Sequence, residues 1–298
     1  MKDLFDKEIK IASLKSHFIV PPFSVLNARE GYWQNRKRAW KDIGIKGELG
    51  RDQNIFNLPD KIINRRPNTV STSLFDPFLC ELIYTWFCPK NGQIIDPFAG
   101  GSVRGIVASI LGYKYWGCDL SHEQIDANLK QANSICENNK PIWVIGDSIE
   151  MMPKSPKADF ILSCPPYGNL EKYSDHPRDL SVMDYHAFIA AYNRIIMKTV
   201  EKLKMNRFAC FVVGDFRDKK GFYRNFISET ISAFKTQKLE LYNNAILVKQ
   251  TVTQYLFAQR PFEHSRKLAN MHENILVFIK GDPKKATEEI TRRKNGQK

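Results

Sequence analysis

The stretch Asp96-Pro-Phe-Ala-Gly-Gly-Ser-Val-Arg-Gly105 decides the fold. It follows the short apolar run Gln93-Ile-Ile-Asp96 and leads into a helical pattern over residues 102–111. A buried strand that turns on small residues and opens a helix is the first unit of a parallel α/β sheet. Ala99, Gly100 and Gly101 leave the backbone open to a ligand, and the helix that follows presents unpaired N–H groups. A glycine turn alone says little, because many α/β chains carry one, so its surroundings have to carry the reading.

Outward from this turn, strands and helices alternate. Upstream, Ser73 is placed to cap a helix running to residue 87, with Asp76-Pro77 in its first turn. Downstream, the spacing predicts strands over 113–119, 142–146, 158–163 and 208–214, with helices over 121–137, 184–204 and 222–234. Two late strands, near 239–248 and 274–280, have no helical pattern of their own between them and are expected to run antiparallel. The expected fold is α/β: a mostly parallel seven-stranded sheet with helices on both faces and an antiparallel last strand.

In such a sheet, ligands bind at the carboxyl ends of strands near a topological switch point. Acidic residues stand at three of these ends: Asp96, Asp119 after Gly117-Cys118, and Asp147 before Ser148. A carboxylate at Asp119 can take a ribose diol, or cap the helix that begins near Ser121. One at Asp147 can accept from an adenine amino group. The fourth strand ends in Ser163-Cys-Pro-Pro-Tyr-Gly168, where two prolines make a stiff, pre-shaped lip. Taken alone, the same segment also reads as a Pro-Pro turn with Tyr167 in the core.

In this order, Asp96-Pro-Phe-Ala-Gly-Gly-Ser102, Asp119, Asp147 and Cys164-Pro-Pro-Tyr167 resemble the motif set of S-adenosylmethionine-dependent DNA amino-methyltransferases. The resemblance spans residues 73 to 215 and implies a Rossmann-like methyltransferase fold. Ser73-Leu-Phe-Asp-Pro-Phe-Leu79, with Glu81, resembles the family's segment over the methionine part of the cofactor. The whole chain is also similar to phage and prophage DNA modification methylases, with Pro21-Pro22-Phe23-Ser24 and Phe222-Tyr-Arg-Asn-Phe226 as landmarks. The resemblance implies that Asp96, Pro97, Phe98, Ala99, Gly100 and Gly101 surround the methionine and sulfonium. It implies Asp119 and Leu120 at the ribose, and Asp147 and Ser148 at the adenine. Cys164, Pro165, Pro166 and Tyr167 would then face the target base.

A base in a duplex hides its amino group, so it has to be flipped out or met on a single strand. Tyr167 would supply a face for stacking, and the locked backbone would aim a carbonyl, that of Pro165, at the amino hydrogens. Cys164 departs from the family pattern, in which Asp, Asn or Ser precedes Pro-Pro-Tyr. Two expectations follow: methyl transfer to cytosine N4 or adenine N6, or a Cys164 nucleophile that activates cytosine C5.

The net charge of +13 favours a polyanionic partner: DNA, with RNA as the alternative substrate. A catalytically silent nucleic-acid-binding protein of the same fold is a further alternative. Candidate phosphate contacts are Arg36, Lys37 and Arg38, on an amphipathic helix expected to pack Trp33 and Trp40 on the domain, and Arg217, Lys219 and Lys220 after the fifth strand. Residues 249–272, with Gln250, Gln254, Gln259, Arg260, His264, Arg266 and Lys267, are a candidate target-recognition insertion, along with the N-terminal extension. Glu171, Lys172, Tyr173 and Asp175 are a candidate closing loop. The expected organisation is a basic, aromatic extension over 1–70, a methyltransferase domain over 71–282 and a disordered polar tail over 283–298. Six scattered cysteines and six histidines show no ligand spacing, so no metal is expected. The absence of an apolar run of membrane length and of a secretory signal leads to the expectation of reduced thiols in the cytoplasm, with no membrane partner.

Overall fold

The computed structural model describes residues 18–46, 75–168, 174, 176–249 and 252–291. Ser73, Glu171, Lys172, Tyr173, Asp175 and Gln250, and the side chain of Gln254, lie outside the described residues. In chain order, β1 (Val25–Asn27) and α1 (Gly31–Asp42) precede α2 (Pro77–Phe87), β2 (Gln93–Asp96), α3 (Val103–Ile110), β3 (Lys114–Asp119) and α4 (His122–Ile135). Next come β4 (Ile142–Ile145), the short α5 (Ser148–Met151), β5 (Phe160–Ser163), α6 (Tyr185–Val200), β6 (Arg207–Val213) and α7 (Phe226–Thr236). The chain continues through β7 (Glu240–Val248), α8 (Val252–Ser265), β8 (His272–Lys280) and α9 (Pro283–Thr291). No described helix is long and apolar enough to cross a membrane.

All eight strands form one sheet, in the order β1-β7-β8-β6-β5-β2-β3-β4. Every pair is parallel except those made by β8, which runs antiparallel to both β6 and β7. The seven strands of the α/β expectation are all present, and the lone reversed strand is the last. The chain winds outward from β2 to β3 and β4, then returns to place β5 on the other side of β2. The carboxyl ends of β2 and β5 therefore flank the switch point where a crevice opens.

Both faces of the sheet are covered, and the strands show why. In β6, Phe208, Cys210 and Val212 enter one buried cluster, while Ala209, Phe211 and Val213 enter the other. Period-two side chains with both faces apolar read as a near-continuous hydrophobic run, which is the signature of a central strand covered on both faces.

A helix, α8, lies between β7 and β8, where no helical pattern was expected, and the two strands nonetheless pair antiparallel. Three other local differences from the sequence expectation have clear causes. First, α2 is capped by Asp76, whose Oδ1 accepts from the N–H groups of Phe78 (2.9 Å) and Leu79 (3.4 Å), with Pro77 as the first helical residue. Second, α7 begins at Phe226 rather than at 222, because the preceding residues close a tight turn and Asn225 takes a left-handed φ of 58°. Third, residues 283–291 form a helix instead of a disordered tail: Asp282 accepts from Lys284 N–H, and the helix buries Ala286 against the core.

The N-terminal segment is part of the same sheet and core. β1 pairs with β7 in register Leu26↔Leu247, adding an eighth, edge strand that the periodicity of the chain did not suggest. Val20, Leu26, Trp33 and Trp40 are buried in the cluster that also holds Phe78 and Leu82 of α2. The two tryptophans of α1 are therefore core residues.

Candidate functional site

The glycine loop after β2 is held from three sides. Ala99 N–H donates to the Cys118 carbonyl (3.0 Å), and Gly100 N–H donates to Asp119 Oδ2 (2.8 Å). Asn128 Nδ2 donates to the Gly100 carbonyl (2.7 Å). Gly100 sits at φ 48°, a left-handed conformation that explains glycine here. Asp119 Oδ1 also accepts Ser121 N–H (2.9 Å), and Ser121, not Asp119, is the N-cap of α4. The half-buried Asp119 carboxylate thus stands at the end of β3 with its orientation set by two backbone donors. Leu120, also half-buried, follows it.

Asp96 has a different role from the one the resemblance implies. Its side chain is fully buried and accepts four bonds. Oδ1 takes Phe98 N–H (3.0 Å) and Ser163 Oγ (2.5 Å); Oδ2 takes Arg104 Nε (2.6 Å) and Tyr115 OH (2.8 Å). A carboxylate offers about four lone-pair directions, so no acceptor capacity is left for a methionine group. Arg104 also donates to the carbonyls of Phe98 (2.5 Å) and Ala99 (3.0 Å), and its guanidinium lies 4.7 Å from the centre of the Phe75 ring. The Asp96 carboxylate holds the Arg104 pKa above its ordinary value despite burial, so the guanidinium stays charged. Asp96 is the fastener of the loop.

Asp147 caps α5 through Ile149 N–H (2.8 Å), and its Oδ2 lies 3.8 Å from Arg178 Nη1. Ser148 is buried and donates to the Pro97 carbonyl (2.5 Å), so it braces the loop. Phe98 is partly exposed and stacks on Tyr192 at 5.9 Å, while Gly101, also partly exposed, completes the turn.

The lip adjoins this loop. The Ser163–Asp96 bond joins the root of the lip on β5 directly to the root of the glycine loop on β2. Pro165 is buried and Pro166 half-buried. Tyr167 OH donates to Glu273 Oε1 (2.9 Å) and lies 3.7 Å from Cys164 Sγ; Glu273 also pairs with Lys249. Its ring meets the edge of Phe226 at 6.3 Å. Tyr167 is therefore an anchored, half-buried ring and not a free stacking platform. Burial and the nearby Glu273 push the Cys164 thiol up to about 11, against the opposing pull of Arg104. At neutral pH that leaves about one thiolate in 10⁴.

The candidate phosphate contacts divide. Arg36 donates to Glu81 through Nε (2.8 Å) and Nη2 (2.5 Å), and Trp40 Nε1 adds a third bond to Glu81 (2.6 Å). Lys37 pairs with Asp76 at 2.9 Å, and Arg38 bonds Asn35 on the exposed face. Arg36 and Lys37 thus hold α1 to α2. Arg36→Ala should lower stability by about 1–3 kcal/mol, since it strips the main partner from a buried carboxylate. Thermal melting against Arg38→Ala checks this; equal melting temperatures would return Arg36 to a phosphate role. Arg217 packs 3.8 Å over the Tyr223 ring, Lys219, Lys220 and Arg260 are exposed, and Arg266 lies 5.2 Å over Phe262.

Sequence reasoning missed the polar face of α4. Gln124 donates to Asn128 (3.0 Å), Ser102 donates to Gln131 (2.8 Å), and Gln131 donates to the Lys46 carbonyl (2.7 Å). Amides recurring at helical spacing behind a glycine turn were the available signal. Glu273 and Arg178 carried none, because their partners lie far away in the chain.

No family model matches the sequence, and no curated protein matches it. Similarity appears among solved structures. TrmN from Thermus thermophilus is 11% identical over 69% of this chain, with a TM-score of 0.47; the match spans about half of TrmN (49%). A TehB-like S-adenosylmethionine-dependent methyltransferase from Corynebacterium glutamicum is 17% identical, covering 74% of this chain and 97% of that one, with a TM-score of 0.45. PH1948 from Pyrococcus horikoshii, a proposed RNA methyltransferase, is 15% identical and covers 83% of this chain and 100% of that one, with a TM-score of 0.50. At these identities the likeness speaks to architecture alone, and it agrees with the strand order: the chain has the Rossmann-like methyltransferase fold.

Proposed function

We propose that the protein is an S-adenosylmethionine-dependent methyltransferase acting on the exocyclic amino group of a flipped DNA base, cytosine N4 or adenine N6. The observation that carries this reading is the Ser163–Asp96 hydrogen bond of 2.5 Å, which ties a Pro-Pro-Tyr lip to a glycine loop at the switch point of the sheet. The residues suit the cofactor: Gly100 keeps its left-handed turn open, and the Asp119 carboxylate is oriented at the mouth of β3. Asp119 would take the ribose diol and Asp147 the adenine amino group, while Phe98 would line the methionine side. When bound, S-adenosylmethionine supplies an electrophilic methyl group on a sulfonium.

The chain's own residues then position the acceptor. The prolines lock the backbone so that the Pro165 carbonyl accepts an amino hydrogen and turns the nitrogen lone pair toward the donor. On methylation the nitrogen gives up one proton to water. Tyr167, held by Glu273, walls the pocket. The high thiol pKa of Cys164 favours this over attack on cytosine C6, which needs a thiolate.

Cys164→Ser separates the two chemistries. Amino methylation predicts activity within about threefold of the parent and no activity inflection between pH 7 and 10 from this thiol; a nucleophile predicts near-total loss. The test incubates parent and variant with DNA and RNA and identifies the modified base. N4-methylcytosine or N6-methyladenine in DNA supports the reading, whereas carbon methylation alone, or RNA as the sole acceptor, overturns it. Cofactor binding without transfer to any nucleic acid would instead mark a silent binding protein.

A further inference from the structure

The segment between β6 and α7 is not used by the site as described, yet it is tightly built. Phe216 is buried beside the lip: a Cβ on Gly168 would strike its ring, and it meets Phe226 at 5.6 Å. From that root the chain closes a narrow hairpin turn. Arg224 N–H returns to the Phe216 carbonyl (2.9 Å), and Asp218 N–H donates to the Phe222 carbonyl (2.8 Å). Asp218 Oδ1 accepts Phe222 N–H (2.9 Å). The Arg217 guanidinium lies over the Tyr223 ring and donates to the Gly221 carbonyl (2.9 Å). Held this way, the turn leaves Phe222 69% exposed, flanked by exposed Lys219 and Lys220, with Lys267 against Gly221 from the far side of the insertion.

A single exposed apolar side chain is ordinary. Here three things coincide: an anchored turn, an exposed aromatic where it closes, and cations around it. Leaving a Phe in water forgoes the free energy of burying its ring, which a partner can recover. Cations around an exposed aromatic complement a partner with phosphates outside and flat apolar faces within, which is a base-paired nucleic acid.

We propose that Phe222 is a wedge that enters the DNA duplex beside the target and occupies the space left by the flipped base. The inference rests on the reading of the chain as a base-flipping DNA methyltransferase. Because Phe216 ties the turn to the lip, extrusion of the base toward Pro165–Pro166 and insertion of Phe222 would occur on one rigid support. Lys219, Lys220 and Lys267 would sit on the flanking phosphates. Unstacking and unpairing the target are unfavourable, and the wedge offsets that by stacking in the vacated place.

The test compares methylation of a paired duplex, a duplex with an abasic site opposite the target, and a single strand. Phe222→Ala should reduce kcat/KM at least about tenfold on the paired duplex and less than twofold on the other two, with unchanged melting of the protein. Phe222→Leu should recover most of the loss, since an aliphatic wedge can also separate bases. Phe23→Ala serves as the control: Phe23 is equally exposed but precedes β1, at the opposite, amino edge of the sheet. Equal loss on all three substrates, or no loss on the duplex, overturns the wedge and leaves the enzyme reading standing. Transfer only to single strands by the parent protein also removes it. If the parent methylates no nucleic acid, the functional reading falls first and the wedge with it.

Discussion

Asp96→Asn should destabilise the protein by about 3–5 kcal/mol, the cost of leaving one member of a buried ion pair alone. The variant strands the Arg104 guanidinium, which is 5% exposed, opposite an amide that turns an N–H₂ toward at least one of the four former donors. For a chain of this size the melting temperature should fall by roughly 10 °C. The double variant Asp96→Asn/Arg104→Met should recover part of that loss, because removing both charges removes the desolvated, unpaired one. A fall of less than about 1 kcal/mol in the single variant would mean that water or a rearranged side chain reaches the guanidinium, and the fastener role would be wrong. Thermal and denaturant unfolding, measured without cofactor, keep this result separate from ligand binding.

Asp119→Ala addresses the site itself. The carboxylate is half-buried at the mouth of β3, and its loss should leave the fold almost as stable as before, apart from the Gly100 N–H and Ser121 N–H bonds. Cofactor affinity should fall about 10–100-fold, the worth of one or two hydrogen bonds to a charged acceptor. Asp119→Asn, which keeps one acceptor oxygen, should fall between the two. Calorimetric titration with S-adenosylmethionine reads this directly. An unchanged dissociation constant would remove Asp119 from the cofactor site, and a large fall in melting temperature would make it a loop brace instead.

Much of this molecule could be read along the chain, for a physical reason. Strands β2 to β8 announce themselves by apolar runs of the right length, and the helices between them, apart from the short α5 and α8, by their period, so the α/β layout follows from local pattern and short connections. The glycine loop and the Pro-Pro lip were equally legible, because their geometry is written into residues with restricted or unusual backbone freedom. Strand β1 was not legible: three residues carry no period, and they become a strand only because β7 offers an open edge. The helix over Pro283–Thr291 was hidden by its polar composition, since a single narrow face around Ala286 is all that the core requires.

The chemistry of the side chains divides along the same line. That a carboxylate, a glycine turn and a rigid lip are present is a matter of residue types at strand ends, and these are set by the order of the chain. Which atoms those groups satisfy is another matter. Asp96 finds Arg104, Tyr115 and Ser163; Tyr167 finds Glu273, 106 residues away; Arg36 finds Glu81, 45 residues away. The Ser163–Asp96 and Tyr167–Glu273 pairings exist only once β5 returns beside β2 and β8 is inserted beside β6, and Arg36–Glu81 only once α1 packs on α2, because a buried polar group takes whichever partner the packing brings within about 3 Å. The sequence names the groups, and the packing of the sheet decides that Asp96 is a fastener, Arg36 a clasp and Tyr167 an anchored wall.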